Sequence, residues 1–171
     1  MSRNYPERVR PEKVASAHRR FAGEIPLSRL RQAAELMESP KADEFVRFEV
    51  EFDHDKQGQI VADVQIEGEI PLVCQRSLNR FLWPLASRSR VGIVFSEAEA
   101  ETLPDDYEPL VCDGEELELE RLIEEELMLA VPIVPIDPNS ALDDDHKALS
   151  RQPESEPTHR PFEVLARLKK K

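Results

Sequence analysis

The residues with the clearest potential for chemistry lie in a stretch of the chain that carries bases but no acids. Residues 70–96 contain four arginines and one tryptophan, namely Arg76, Arg80, Trp83, Arg88 and Arg90. Guanidinium groups donate forked hydrogen bonds to phosphates, and both guanidinium groups and aromatic rings stack on unpaired bases. The stretch is therefore a candidate RNA-binding surface. In the alternative interpretation, Phe81 and Trp83 belong to the core and the arginines pair with the acidic helix.

A second candidate surface is the acidic stretch 97–126, which holds fourteen acids against the single base Arg121. Consecutive acids on a helix point in different directions, so they do not converge as a catalytic pair or a metal site. They form a solvated acidic face, with Glu124 on its outer side, that suits a basic protein partner by charge complementarity. The candidate protein-binding residues are Glu115, Glu116, Glu120, Glu124 and Glu125.

Enzymatic and cofactor chemistry is not predicted. The two cysteines and four histidines do not stand at the spacing of zinc ligands, and the five glycines do not cluster as a phosphate-binding loop requires. No serine or cysteine lies in a recognisable nucleophile motif. We therefore expect a protein without a metal or cofactor that is not an enzyme. A nuclease that uses acid-bound metal is the least favoured alternative.

The net charge of −12 is unevenly distributed along the chain. Residues 1–31 carry +5 and residues 160–171 carry +4, whereas residues 97–126 carry −13. The overall charge therefore does not by itself exclude an RNA-binding surface. The last three residues are further RNA-binding candidates, with a frayed soluble tail as the alternative: Lys169, Lys170 and Lys171.

Alternating apolar and polar residues predict an antiparallel β-sheet. Gly68 and Pro71 predict a bulge or bend in one strand before it resumes. In the strand that follows, Val91, Ile93 and Phe95 are expected to share one face, opposite the arginines. The strands are predicted over four ranges: 46–52, 60–73, 86–95 and 107–111.

Helical periodicity predicts a helix over 28–38 and an amphipathic helix in the acidic stretch. The apolar stripe of the second helix contains Leu119, Leu122, Ile123, Leu127 and Ala130. The predicted fold class is α+β, with helices packed on an antiparallel sheet whose curling into a barrel-like form is left open. Three parts are expected: a single domain at 1–136, a mobile acidic and Pro-rich connector at 137–160, and a short basic-ended helix at 161–171.

The chain contains no apolar run of the roughly 20 residues that a membrane span needs. Its first residues are basic but lack the apolar stretch of a signal peptide. We therefore expect a cytoplasmic protein without a membrane partner.

Four ordered stretches form a recognisable pattern: 68–76 with its Val-Cys-x-Arg core, 103–109, 118–135 and 161–169. In their order and spacing, the chain from about residue 60 onwards resembles the YceD family of large ribosomal RNA subunit accumulation proteins, and looks like its enterobacterial-type branch. Residues before that point match the family only in general character.

The resemblance implies a role in the accumulation or processing of large-subunit ribosomal RNA and in ribosome assembly, without enzymatic chemistry. The implied partner is large-subunit ribosomal RNA or its precursor. In the alternative, the acidic surface binds and shields a basic ribosomal protein. Many relatives carry a second cysteine three positions after the first, where this chain has Ser77. We therefore expect Cys74 to be a buried or semi-buried thiol rather than a zinc ligand.

Overall fold

The structure is a computed structural model, and it describes residues 4–140. The chain divides into two units, residues 1–140 and 141–171. Most of the predicted connector and all of the predicted final helix lie outside the described residues, so the expected boundaries stay predictions. In the described part, no helix is both long enough and apolar enough to cross a membrane.

A five-stranded sheet forms the centre of the described unit. Its spatial order is β2-β3-β4-β5-β6, and every neighbouring pair is antiparallel except β5 and β6, which are parallel. Parallel neighbours need a long crossover, and residues 95–107 supply one here. The strands are β2 (Arg20–Pro26), β3 (Phe45–His54), β4 (Ile60–Val73), β5 (Arg80–Val94) and β6 (Glu108–Val111).

Strands β2 and β6 form the two edges, so the sheet of the described residues is open and the barrel-like form is not observed. The predicted α+β class is confirmed, but the purely antiparallel sheet is wrong in its last pair. A second, two-stranded ribbon joins β1 (Arg8–Val9) to β7 (Leu117–Glu118). This ribbon ties the beginning of the described chain to the acidic stretch.

Alternation gives the sheet one apolar and one polar face. Val50 and Val64 lie opposite each other on β3 and β4 and are buried, whereas the neighbouring Glu51 is exposed. The apolar face forms the core together with the residues of the helices that cover it. The helices are α1 (Pro11–Ser16), α2 (Arg31–Glu35), α3 (Glu97–Ala100) and α4 (Leu119–Ala130), with a 3₁₀ turn at Leu27–Arg29.

Helix α4 buries the predicted apolar stripe. Leu119, Leu122, Ile123 and Leu127 are fully enclosed, and Val131 then takes an extended conformation just before Pro132. The residue before a proline disfavours the helical region, which explains where α4 ends. The prediction of this helix and of its buried face is confirmed.

The predicted continuous helix over 28–38 is wrong. It is divided at Leu30, whose backbone (φ −84°, ψ 84°) separates the 3₁₀ turn from α2. Leu30 is buried, and the backbone N–H of Leu27 donates to the carbonyl of Glu44 at 3.0 Å. Contacts with distant parts of the chain therefore fix this segment in a form that local periodicity does not predict.

The predicted interruption of the strand at Gly68 and Pro71 is also wrong, because β4 continues to Val73 with no bulge in its pairing with β5. Pairing with β3 ends at Gly68, so the missing N–H of Pro71 faces a side that no strand occupies. The carbonyl of Pro71 accepts instead from the backbone N–H of Glu38 at 2.8 Å.

Strand β5 begins six residues earlier than predicted and ends at Val94. Phe95 therefore lies beyond the strand and is 40% exposed, so its predicted place beside Val91 and Ile93 on the buried face is wrong. Pro84 occupies a part of β5 that β6 does not pair, which explains how the strand accommodates it.

Candidate functional site

The first candidate site is the turn between β4 and β5. The backbone N–H of Cys74 donates to the carbonyl of Asn79, and that of Leu78 to the carbonyl of Cys74, both at 2.9 Å. Arg76 donates from Nε to Ser140 Oγ and from Nη2 to the carbonyl of Asp137, also at 2.9 Å. The turn is thereby attached to the segment that follows helix α4.

Arg80 is paired inside the chain. Its guanidinium forms an ion pair with Glu44, and its Nε donates to the carbonyl of Glu38 at 3.3 Å. Burial raises the pKa of the Glu44 carboxyl. Hydrogen bonds from the Lys41 backbone and from Arg80 lower it by more than burial raises it, so the pKa lies below its usual value. Glu44 is therefore ionised at neutral pH and neutralises the charge of Arg80.

Arg88 and Arg90 lie on the polar outer face of the sheet. Arg88 Nη2 donates to the side-chain carbonyl of Gln65 at 2.9 Å. Arg90 Nε lies 3.7 Å from Asp63, and its guanidinium carbon lies 5.8 Å from the ring centroid of Tyr107. Arg90 is thus paired with a carboxylate, whereas Arg88 is paired with a neutral amide.

Trp83 lies on the opposite, core-facing side of β5. Its ring packs edge-on against Phe81 with centroids 6.1 Å apart, and both side chains are partly buried against the core. This placement favours the interpretation of Trp83 as a packing residue. It also separates Trp83 from Arg88 and Arg90, which point from the other face of the same strand.

The four arginines therefore do not form one cluster. Arg80 and Arg90 are ten residues apart on one strand, which corresponds to about 33 Å. Arg76 and Arg80 both lie at the turn but bond to different segments, whereas Arg88 and Arg90 lie on the same outer face of β5. The three terminal candidates lie outside the described residues: Lys169, Lys170 and Lys171.

The acidic candidates separate into two groups. Glu115 and Glu116 lie in an exposed loop, where Glu115 pairs with Arg10. Glu125 pairs with Arg121 one helical turn away, at 2.9 Å. The loop borders a cleft of about 430 Å³, which we call the acidic cleft and whose charged lining consists of Asp113, Glu115, Glu116, Glu118, Arg8 and Arg121.

Glu120 and Glu124 form the second group, and both have internal partners. Glu120 accepts from the hydroxyl of Tyr5 at 2.9 Å and pairs with Arg29. Glu124 accepts from the backbone N–H groups of Gln32 and Ala33 at the start of α2, at 2.7 and 3.3 Å. The interpretation of Glu124 as an outer, solvated residue is therefore wrong, because its carboxylate caps another helix.

Acids dominate the charge of the described unit. Residues 4–140 contain 29 acids and 15 Lys or Arg residues, which gives a net charge of −14. The described unit as a whole therefore has a strongly negative potential.

Cys74 lies at the junction between the turn and the segment after α4. It is fully enclosed, as expected, and its Sγ lies 3.3 Å from both Ser140 Oγ and the backbone nitrogen of Asp137. Burial raises the pKa of this thiol, but hydrogen bonds from Ser140, Ser77 and Asp137 outweigh burial and bring the pKa to about 6. Ser77, three positions after Cys74, thus supplies a hydroxyl that favours the thiolate.

Cys112 is buried elsewhere, and burial raises the pKa of its thiol. Among residues 4–140, no group of three or more His, Cys, Asp or Glu side chains is arranged to hold a metal ion. The two thiols differ in their hydrogen bonds: Cys74 Sγ accepts from the backbone N–H of Asp137, whereas the Cys112 thiol donates to the carbonyls of Gly114 and Glu116 at 3.6 and 3.5 Å.

An exposed apolar surface was missed by the sequence reasoning. Ile133 is 99% exposed, although it lies in one of the stretches that resemble the family. The available signal was an apolar run with no helical or strand period between Pro132 and Pro135. The other large apolar residues exposed nearby in the sequence or structure are Leu36, Leu129, Val134 and Ile136.

Comparison with known proteins identifies the family. The sequence model described as "Large ribosomal RNA subunit accumulation protein YceD" matches residues 62–169. The Haemophilus influenzae protein of the same name is 28% identical over 172 residues, which cover 97% of each chain. No solved structure gives a significant match. The chain therefore belongs to the YceD family of large ribosomal RNA subunit accumulation proteins.

Proposed function

We propose that this chain promotes the accumulation of large-subunit ribosomal RNA as a non-enzymatic cytoplasmic protein that holds a basic ribosomal protein. The family name supports the coarse role in ribosomal RNA accumulation. In the proposed mechanism, the acidic cleft binds lysines and arginines of the partner and shields them until they meet RNA. Complementary charge gives such a complex selectivity and a high association rate.

The observation that carries the proposal is the net charge of −14 on the described unit. The charged lining of the acidic cleft holds four acids against two bases, and there the side chain of Glu115 is 79% exposed and that of Glu118 is 48% exposed. Exposed ion pairs of this kind contribute little to folding, so a partner's cations can replace the internal ones at small cost.

Comparing two pairs of exposed acids tests this proposal. The double variant Glu115→Gln, Glu116→Gln removes two charges from the acidic cleft, whereas Glu67→Gln, Glu69→Gln removes two from the outer face of β4. Purified basic proteins of the large subunit are titrated, one at a time, into each full-length variant by calorimetry. We expect the dissociation constant to rise about fivefold or more in the cleft variant and less than about twofold in the control.

Equal losses in the two variants would show that only the total charge matters and would overturn the cleft as the site. Absence of binding to every basic protein tested, together with tight binding of ribosomal RNA, would overturn the adaptor proposal itself. Both titrations are repeated at two salt concentrations, because screening weakens contacts between exposed charges.

Direct contact with large-subunit ribosomal RNA or its precursor is the second candidate function. The observation that favours it is the nature of the acceptors of Arg76 and Arg88, which are a hydroxyl, a backbone carbonyl and an amide. These neutral acceptors leave the positive charge of each guanidinium available to a phosphate. In contrast, carboxylates neutralise Arg80 and Arg90.

A further inference from the structure

A groove lies between the end of helix α2 and the segment that follows helix α4. Its volume is about 510 Å³, which is within the range of sites that bind ligands or side-chain clusters. Leu36 from the end of α2, Leu72 from β4 and Ile133 from the segment after α4 all line the groove. The rest of the apolar lining comes from the same three parts of the chain and from the last turn of α4.

Two of these apolar side chains are strongly exposed. Leu36 is 51% exposed and Ile133 is 99% exposed, although burying either side chain would be favourable. Contiguous exposed apolar surface beside a groove is typical of a protein interaction site. Hydrogen bonds hold the position of this surface, since the carbonyl of Pro135 accepts from the backbone N–H of Gln75 at 2.8 Å.

The charge at this groove determines which partner it suits. Glu35 and Glu38 belong to the lining, and among the described residues the lining contains no Lys, Arg or His. The whole described unit carries −14. A segment that enters this groove therefore needs apolar side chains for the floor and positive charges for the rim.

We propose that this groove binds a basic amphipathic helix of a partner protein. This inference rests on the proposed function, and it identifies the kind of segment that the partner presents. Apolar residues three and four positions apart contact Leu36 and Ile133, and lysines or arginines on the flanks approach Glu35 and Glu38. The groove supplies apolar affinity, and the acidic cleft supplies a second, electrostatic contact.

The experiment measures binding of a designed peptide to the full-length protein. The probe is a fluorescein-labelled peptide of Leu and Lys, about 14 residues long, with leucines spaced for one helical face. Its dissociation constant is measured by anisotropy for the wild type and for the variants Ile133→Asp and Leu36→Asp. The matched control is Leu78→Asp, because Leu78 is 72% exposed in the turn after β4 and does not line the groove.

We expect the dissociation constant to rise about tenfold or more in the two groove variants and to change less than about twofold in the control. Each substitution adds a negative charge, which alone would strengthen binding of a basic peptide. A loss therefore reports apolar contact. Thermal unfolding of each variant shows whether the fold is intact, and Ile133 is so exposed that its replacement leaves the core unchanged.

Several outcomes would overturn the groove proposal. Equal affinity in the groove variants and the control would remove the groove as the binding site. Equally tight binding of a Leu–Glu peptide with the same leucine spacing would refute the charge argument. A single-stranded RNA, or a second copy of this chain, that loses its binding through Ile133→Asp would assign the groove to that partner instead.

The adaptor function and the groove proposal can be tested independently of each other. If Ile133→Asp binds basic ribosomal proteins like the wild type while the cleft variant does not, the adaptor function stands and the groove proposal fails. If the Leu–Lys peptide depends on Ile133 but no basic ribosomal protein binds the wild type, the groove is supported and the adaptor function fails.

Discussion

Glu124 Oε1 accepts a hydrogen bond from the backbone N–H of Gln32 at 2.7 Å, and the two residues are 92 positions apart in the chain. The first N–H groups of a helix have no partner within the helix, and here a carboxylate of α4 supplies one to α2. The negative charge also interacts favourably with the positive end of the helix dipole. Helix α2 is only five residues long, so its start depends on this external cap.

The first prediction concerns this cap. Glu124→Ala should lower the free energy of unfolding by about 1 kcal/mol, the usual value for loss of a capping side chain. The matched variant Glu125→Ala removes an acid from the next position, whose exposed pair with Arg121 should contribute less than about 0.5 kcal/mol. Urea unfolding of both variants measures the difference. Equal values would show that the cap has no energetic role.

A second prediction concerns the apolar stripe of α4. Leu122 is fully enclosed, so Leu122→Ala should destabilise the domain by about 2–5 kcal/mol through lost burial and a residual cavity. Leu129 lies on the same helix but is 71% exposed, and Leu129→Ala should change stability by less than about 0.5 kcal/mol. A silent Leu122→Ala with a destabilising Leu129→Ala would mean that α4 faces the other way.

A third prediction uses Glu126, the one buried acid among the described residues. Burial raises the pKa of this carboxyl and the nearby Glu108 raises it further, whereas a hydrogen bond from the Ser89 hydroxyl lowers it. The net pKa lies above the unfolded value. The contribution of Glu126 to stability is therefore most favourable at a pH where its carboxyl is protonated in both the folded and the unfolded state. This contribution falls as the pH rises through the folded pKa.

Glu126→Gln removes this titration but keeps an acceptor for Ser89. Its stability relative to the wild type should rise between pH 4 and pH 8. Urea unfolding at several pH values checks the trend, and Ser89→Ala serves as a control that keeps the carboxyl but removes its donor. A difference that stays constant with pH would show that Glu126 does not titrate as inferred.

The fourth prediction concerns Cys74, whose pKa of about 6 lies below the ordinary value of 9.0. A lowered folded pKa contributes stability above the unfolded pKa, and this contribution is lost as the pH falls towards 6. The stability of the wild type relative to Cys74→Ser should therefore increase between pH 6 and pH 9. Cys112→Ser is the control, because burial raises that pKa and no such increase is expected in this window. Parallel curves for both variants would contradict the thiolate.

The sequence was sufficient to predict those helices and strands that have one buried face and one exposed face. Val46 to Phe52 alternate because β3 has a core on one side and water on the other, and α4 repeats its leucines for the same reason. Such patterns are local, so they can be read without the rest of the fold. The position of Leu30 and the course of β4 through Pro71 depend instead on distant neighbours.

The candidate sites show the same distinction. The acid-free arginine stretch was visible in the sequence, but the pairing of Arg80 with Glu44, 36 residues away, depends on how helices and strands pack. Likewise, the placement of Trp83 and Arg88 on opposite faces depends on where β5 begins. For the groove beside Ile133 the sequence offers only the aperiodic apolar run between Pro132 and Pro135, and an apolar side chain in a sequence is normally expected to be buried.

The last prediction tests the second candidate function, direct contact with RNA, by comparing arginines that have neutral acceptors with arginines that have carboxylate partners. Affinity for a single-stranded fragment of large-subunit ribosomal RNA should depend on Arg76 and Arg88, which bond to neutral groups, more than on Arg80 and Arg90, which are paired with carboxylates. The double variants Arg76→Ala, Arg88→Ala and Arg80→Ala, Arg90→Ala remove the same charge, so their overall electrostatic effects match. Filter binding at several salt concentrations measures both.

Each lost phosphate contact should flatten the slope of log affinity against log salt by about 0.7. We therefore expect the Arg76 and Arg88 variant to flatten it by up to about 1.4, and the Arg80 and Arg90 variant to leave it nearly unchanged. Arg→Lys at positions 76 and 88 then separates simple attraction, which lysine restores, from forked or stacked contacts, which it does not. If neither double variant weakens binding, these arginines are not the RNA-binding residues, and the basic-protein adaptor is the better description of this chain.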